Sequence, residues 1–195
     1  MQFPPNSPFT SPPSQEHLQQ IAAARVLGKK VRRATGVAVF SGWTIAIFAA
    51  ITIFSGIVSL SALALGIGMA IVAYYELRGA GEFKRLDRSA PRRLAINQIA
   101  FMLMLIAYAG YELAANLRSP MDLGQIANVD PKMAQTIQDM ARPITIAVYL
   151  GIMLAALLGP GLTAVYYYTR RKYIEAYLNQ TPTWILELQR AGMSI

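Results

Sequence analysis

The chain contains no cysteine, and its only histidine, His17, lies in a polar stretch near the N-terminus. The missing cysteine excludes disulfides, thiolate metal sites, iron–sulfur clusters and cysteine nucleophiles. Without histidine in the apolar runs, imidazole-bound haem, histidine zinc sites and Ser–His catalytic pairs are excluded there too. Phosphate-binding and dinucleotide-binding glycine motifs are also missing. We therefore expect no cofactor, no metal and no enzymatic activity.

Charge is scarce as well: 14% of the 195 residues are charged and 54% are hydrophobic. A soluble domain carries about a quarter charged residues, so this chain has too little charge to cover a water-facing surface. Runs of about twenty apolar residues are typical of transmembrane helices. The sequence predicts an all-α integral membrane protein whose four spans form two antiparallel hairpins. The predicted spans are residues 36–57, 60–77, 94–117 and 143–168.

The segments that flank the spans have their own patterns. The proline-rich residues 1–13 predict a disordered tail. Residues 14–34 predict a basic helix capped by Ser14. Residues 118–142 predict an outer loop with a short amphipathic helix capped by Asp130, and residues 169–195 predict an amphipathic tail whose apolar side chains lie on the membrane or bind a partner.

The eighteen Lys and Arg residues are unevenly distributed, with fifteen in the two terminal segments and the 78–98 link and three in the 118–142 loop. Positive residues favour the cytoplasmic side of a membrane, so both termini are expected in the cytoplasm. Clusters at span ends favour anionic lipid or an acidic cytoplasmic partner over nucleic acid. The predicted contacts for lipid headgroups or a partner are Arg85, Arg88, Arg92, Arg93, Arg170 and Arg171.

Small residues recur at four-residue spacing in every span. Residues four apart share a helix face, and small side chains let helix backbones approach closely in lipid. The same pattern serves packing within one chain and packing between chains, so it leaves the oligomeric state open. The predicted packing residues are Gly42, Ala46, Ala50, Ala62, Gly66, Ala70, Gly110, Ala114, Gly151, Ala155 and Gly159.

Few polar residues lie within the spans. Glu112 is the acidic candidate, with Tyr108 one turn before it, and such carboxylates often serve transport. Its place near the end of a span also fits an interfacial residue that reaches water. Asn97 suits interhelical hydrogen bonding, and Pro160, between two glycines, predicts a kink or a helix break. Glu76 is expected to pair with Arg78 or Arg85 at the membrane interface.

These features favour a non-catalytic membrane subunit or scaffold that packs with other membrane proteins or with itself. The alternative is a small oligomeric transporter or channel that uses Glu112 and the Gly159-Pro160-Gly161 break. A membrane enzyme acting on lipid or peptide is the least favoured hypothesis.

The run YYELRGAGEFKRLDRSAPRRLAINQIAFMLMLIAYAGYELA, residues 74–114, resembles four-span bacterial inner-membrane proteins of unknown function. The resemblance covers the second and third spans and the link between them. It implies a bacterial inner-membrane location and no particular activity, and it assigns no role to any residue.

Overall fold

The computed structural model describes residues 14–118 and 131–190, and these residues form six α-helices with two short irregular turns. A 3-10 turn, Gly56–Val58, follows the first helix, and a π-helical turn, Leu157–Gly161, follows the fourth. The disordered tail, the Asp130 cap and most of the outer loop were predicted for residues outside this part of the chain. The helices are α1 Gln15–Ser55, α2 Leu60–Lys84, α3 Ala90–Arg118, α4 Pro131–Ala156, α5 Leu162–Gln180 and α6 Thr183–Arg190.

Four helical stretches are long and apolar enough to cross a membrane, as the sequence predicts. Three of them are α1, α2 and α3. The fourth is the continuous rod from Gln135 to Gln180, in which α4 passes through the π-helical turn into α5. The all-α class and the four candidate spans are therefore confirmed over the described residues.

The basic N-terminal segment is not a separate helix. α1 runs without interruption through residues 14–34 and the first span, because the junction contains only one weak helix breaker, Gly36, which costs about 1 kcal/mol relative to alanine. Ser14 caps the helix by accepting a hydrogen bond from the His17 amide at 3.3 Å. Likewise, the expected short helix of the outer loop is the first part of α4, which continues through Pro143.

α1 and α2 pack along a seam of small residues. A Cβ on Gly66 would lie 2.8 Å from the Ile53 backbone nitrogen, and one on Gly42 would lie 2.8 Å from the Leu77 side chain. The buried residues recur at steps of three or four, which keeps them on one face of a helix. In α1 they include Val31, Ala34, Ala38, Gly42, Ile45 and Ala49, and in α2 Gly66, Met69, Ala73, Glu76, Ala80 and Phe83.

The link between α2 and α3 is a tight five-residue turn. Leu86 has a left-handed backbone with φ of 62°, which ends α2. The Asp87 carboxylate then accepts hydrogen bonds at 2.8 Å from the Ser89 backbone amide and hydroxyl, and α3 begins at Ala90. These two hydrogen bonds lower the pKa of Asp87 below its usual value.

The larger hydrophobic core lies where the basic segments meet. We call this region the basic end; it comprises residues 14–34, 78–95 and 166–190. Its largest buried side chains are Phe83, Leu94, Tyr167, Ile174, Tyr177 and Ile185. α6 docks here: the Trp184 indole nitrogen donates to the Gln20 side chain at 3.0 Å and its ring packs edge-on against His17. Ile185 is thus buried within the protein, which corrects the expectation that it faces membrane or a partner.

The helices differ in how many neighbours they have. α1 packs on α2, α2 on α3, and α3 on both α4 and α5, while α5 also packs on α1. α4 packs chiefly on α3, through contacts such as Gly110 with Met153. Ala156 alone is buried among the α4 residues whose side chains the structure describes. Large side chains are therefore buried within the protein at the basic end, whereas most of the described surface of α4 is not covered by other helices.

Candidate functional site

Glu76 is completely buried, although it is a carboxylic acid in a predicted span. It occupies one of the regularly spaced inward positions of α2, between Ala73 and Ala80. An apolar side chain is the usual occupant of such a position, and a polar one is costly unless it is hydrogen-bonded. Glu76 is therefore the polar group whose surroundings most need explanation.

Two other helices supply hydrogen bonds to the two Glu76 oxygens. The Tyr167 hydroxyl of α5 donates to Oε1 at 2.7 Å. The Asn97 amide of α3 donates to Oε2 at 2.8 Å and lies 3.1 Å from the Val72 carbonyl of α2. Each carboxylate oxygen thus has a donor, which satisfies the group without a water molecule.

A second polar pair adjoins the same carboxyl group. The buried Gln98 of α3 donates through Nε2 to the Ser41 hydroxyl of α1 at 3.2 Å, and both side chains lie beside Glu76. The cluster of Ser41, Glu76, Asn97, Gln98 and Tyr167 therefore joins α1, α2, α3 and α5. We call it the polar cluster. A network that is fully satisfied fixes one helix arrangement, because every alternative leaves a buried polar group unpaired.

The expected ion pair between Glu76 and Arg78 or Arg85 is not formed. Arg78 instead lies with its Nε 3.5 Å from Glu82, one turn along α2. Within residues 14–118 and 131–190, no basic side chain is in ion-pair contact with Glu76. The groups that hydrogen-bond to its carboxyl oxygens are all neutral, and this suits a structural role.

A groove of about 480 Å³ lies between α2 and α3 beside the polar cluster. Asn97 forms part of its wall and is also the residue that contacts Glu76. Arg78 and Arg93 line the same groove on either side of Glu82, whose Oε2 accepts from the Arg93 guanidinium at 3.0 Å. Both arginine side chains are 60% exposed.

The polar residues predicted from the sequence fall at three separate places. Asn97 belongs to the polar cluster. Glu112 and Tyr108 lie together near Tyr149 of α4, where Asn116 donates to the Glu112 carbonyl at 2.8 Å. Pro160 lies in the π-helical turn, next to Gly161, which approaches Met102 of α3.

The break at Gly159-Pro160-Gly161 is a widened turn that keeps the helix continuous. Proline has no amide hydrogen to donate, so the turn must rearrange its hydrogen bonds. The Thr163 hydroxyl donates to the Gly159 carbonyl at 2.8 Å, which adds a hydrogen bond within the turn. Gly161, next to Pro160, approaches Met102 of α3, and Met102 lies about 15 Å along that helix from Glu112. The structure does not unite Glu112 and Pro160 in one site.

The four-residue spacing identifies only part of the packing surface. Gly42 and Gly66 are buried at close contacts, whereas Ala50 and Ala70 are exposed. A strict four-residue repeat turns by about 40° per step, so it leaves the packed face after two steps. Ala46, Ala62, Gly110 and Ala114 are half-buried, and Gly151, Ala155 and Gly159 are exposed.

The predicted headgroup contacts also differ among themselves. Arg93 contacts Glu82 and approaches Asp87, while Arg85, Arg88 and Arg92 are exposed. The remaining two lie on α5: the Arg170 guanidinium lies 4.1 Å from the centre of the Tyr166 ring, and Arg171 pairs with Glu175 at 2.8 Å.

Glu76 falls at one of the positions of α2 that recur every three or four residues and face inward, and this spacing was the sequence feature that could have indicated the polar cluster. Gln98, next to Asn97, was expected to form interhelical hydrogen bonds, as it does with Ser41. Ser41 and Tyr167 gave no signal, because their meeting depends on how four helices pack. Over the described ranges, no three His, Asp or Glu side chains converge as metal ligands would. Comparisons with protein-family models, curated proteins and solved structures find no match for this chain.

Proposed function

We propose that this chain is a non-catalytic integral membrane subunit that holds one fixed helix arrangement and binds a partner membrane protein along α4. The observation that carries the proposal is the contrast between the polar cluster and α4. The polar cluster fastens four helices with satisfied hydrogen bonds. α4 packs on α3 but leaves Val148, Leu150 and Leu154 exposed.

The arrangement supports a scaffold because the polar cluster holds the helices together at one place and the exposed apolar surface of α4 lies at another. Small exposed residues, Gly151 and Ala155, alternate with the large apolar ones on α4 and would let a partner helix approach closely. A Cβ at Gly151 or Gly159 would meet no heavy atom within 4 Å. These glycines are thus not required by the packing of this chain.

A site-directed crosslinking experiment tests the proposal, and the cysteine-free chain suits it without background removal. Single-cysteine variants at Val148 and Leu154 would carry a photoreactive benzophenone in native membranes. Variants at Ile47 and Ile51, which are equally exposed on α1, are the matched controls. We expect protein adducts of one discrete mass from α4 only. Adducts with lipid alone at all four positions would refute the partner on α4.

We also propose that the spans form two antiparallel hairpins in a bacterial inner membrane, with both termini in the cytoplasm. Residues paired in opposite chain order support the hairpins: Gly42 with Leu77 and Ile53 with Gly66, then Met102 with Gly161 and Gly110 with Met153. The fifteen basic residues on one side support the orientation. In intact cells, an impermeant maleimide should label Ser59→Cys, while Arg88→Cys should react only after permeabilisation; the reverse would invert the topology.

A second candidate function is a small oligomeric transporter or channel. It is motivated by Glu112 with Tyr108 and Tyr149, and by the π-helical turn at Pro160. Flux into vesicles reconstituted with the chain and its Glu112→Gln variant would separate the two functions. Flux abolished by that substitution would favour transport over the scaffold.

A further inference from the structure

The groove between α2 and α3 is lined by charged residues at one end and by mainly apolar residues along the rest of its length. At one end it has the guanidinium groups of Arg78 and Arg93, and along its length it has Tyr75, Ile96 and Ala100. Tyr75 and Ile96 belong to the exposed apolar surface of the spans, where lipid tails would lie. The charged end belongs to the basic end of the molecule. The groove therefore crosses from a polar to an apolar environment.

The two arginines converge because α2 and α3 cross closely at this point. A Cβ on Gly79 would lie 2.5 Å from the Leu94 side chain, so only glycine permits this approach. Glu82 lies between the arginines and holds the Arg93 guanidinium at 3.0 Å, and Asp87 approaches the same nitrogen at 3.8 Å. The acidic residues thus orient the two guanidinium groups before any ligand arrives.

Each guanidinium group retains hydrogen-bonding capacity. The Glu82 contacts use Nε of Arg78 and one terminal nitrogen of Arg93, and a guanidinium group has five N–H donors. The forked donors match the oxygens of a phosphate group. Glu82 is the one carboxylate that lines the groove, because Asp87 contacts Arg93 from outside the lining, so two lining arginines face one lining carboxylate.

We propose that this groove binds one anionic glycerophospholipid, with its phosphate on the N–H groups of Arg78 and Arg93 that do not contact Glu82, and an acyl chain along Ile96 and Ala100. Asn97 also lines the groove, but its amide nitrogen already donates to Glu76 and to Val72, so the two arginines supply the donors for the phosphate. The site differs from general attraction of lipid to the basic end, because it requires two particular arginines. It does not depend on any partner for α4.

The experiment titrates delipidated protein in neutral detergent with phosphatidylglycerol and measures bound lipid by native mass spectrometry. The test variant is Arg78→Gln with Arg93→Gln. The matched control is Arg88→Gln with Arg92→Gln, which removes the same charge from exposed residues outside the groove. Phosphatidylcholine and glycerol 1-phosphate are titrated in parallel to distinguish an anionic lipid from a neutral lipid and from a soluble phosphate.

We expect the test variant to bind phosphatidylglycerol about tenfold more weakly or worse, while the control stays within about twofold of wild type. Equal losses in both double variants would overturn the groove, since they would show attraction to net charge alone. Glycerol 1-phosphate that binds as tightly as the lipid would overturn the lipid assignment.

A further variant keeps the test independent of the arginine network. Ala100→Trp fills the apolar part of the groove and leaves Arg78, Arg93 and Glu82 in place. We expect lipid binding to weaken while the thermal unfolding temperature is retained. Unchanged binding of phosphatidylglycerol by this folded variant would contradict the proposed path of the acyl chain.

Discussion

Leu94 in the basic end and Leu154 in α4 are the same residue in helices of similar length, yet Leu94 is 1% exposed and Leu154 is 57% exposed. Leu94 packs into a core built from α1, α2, α3, α5 and α6. Leu154 belongs to a helix that packs chiefly on α3. The difference teaches that apolar composition alone does not show which helix surfaces a membrane protein buries against itself.

The largest expected effect comes from truncating these two leucines. Leu94→Ala should lower the free energy of unfolding by about 2–5 kcal/mol, because it leaves a cavity in a closed core. Leu154→Ala should cost less than about 1 kcal/mol, because detergent or lipid replaces the lost contacts. Unfolding in mixed micelles measures both, and equal losses would mean that α4 is as well packed as the basic end.

Glycine-to-alanine substitutions should change the free energy of unfolding in opposite directions at the packed face of α2 and on α4. Gly66→Ala should destabilise the protein by about 1–3 kcal/mol, because the new Cβ meets the Ile53 backbone at 2.8 Å. Gly151→Ala should instead stabilise it by up to about 1 kcal/mol, because the site is open and alanine favours helix. A loss of stability in both variants would contradict the open environment assigned to Gly151.

The polar cluster can be tested with two adjacent tyrosines. Tyr167→Phe removes the donor to Glu76 and should cost about 1–3 kcal/mol, because one carboxylate oxygen is left unpaired in a buried place. Tyr168→Phe is the control, since that ring is exposed, and should change stability by no more than about 0.5 kcal/mol. If the two variants unfold alike, the cluster does not fasten the helices.

The smallest effect concerns the tight link at the basic end. Because hydrogen bonds from Ser89 lower the pKa of folded Asp87, its contribution is present above the unfolded pKa and is lost as the pH falls through the folded value. Asp87→Asn should remove no more than about 0.5 kcal/mol at neutral pH, since the side chain is partly exposed. The Asp139→Asn control keeps Asp87, so its stability should fall with decreasing pH as in the wild type. The Asp87→Asn variant should lack this part of the fall, as unfolding in mixed micelles at a series of pH values would measure.

The sequence predicts the helical class and the four candidate spans because these follow from local composition, which long apolar runs express directly. The boundaries between helices were less predictable. α1 continues without a break where the sequence changes from basic to apolar near position 34. A helix is interrupted by residues such as proline or glycine and not by a change in polarity.

The candidate site was predictable only in part, where neighbouring residues in the sequence indicate the role of a side chain. Asn97 was expected to form interhelical hydrogen bonds and does so, but Glu76 was expected at the membrane interface because Arg78 follows it two residues later. Whether a carboxylate faces lipid headgroups or a neighbouring helix depends on helix rotation. The buried positions of α2, which include Glu76, recur every three or four residues, and this spacing rather than charge sets the rotation.

The unbroken length of α1 has a mechanical consequence. Its 41 residues extend for about 60 Å, twice the thickness of the hydrocarbon layer of about 30 Å. In a membrane, roughly half of α1 would therefore lie outside the hydrocarbon, where α5 and α6 pack against it. Such a rod acts as a lever, so a tilt of about 10° within the bilayer would sweep its protruding tip sideways by about 5 Å.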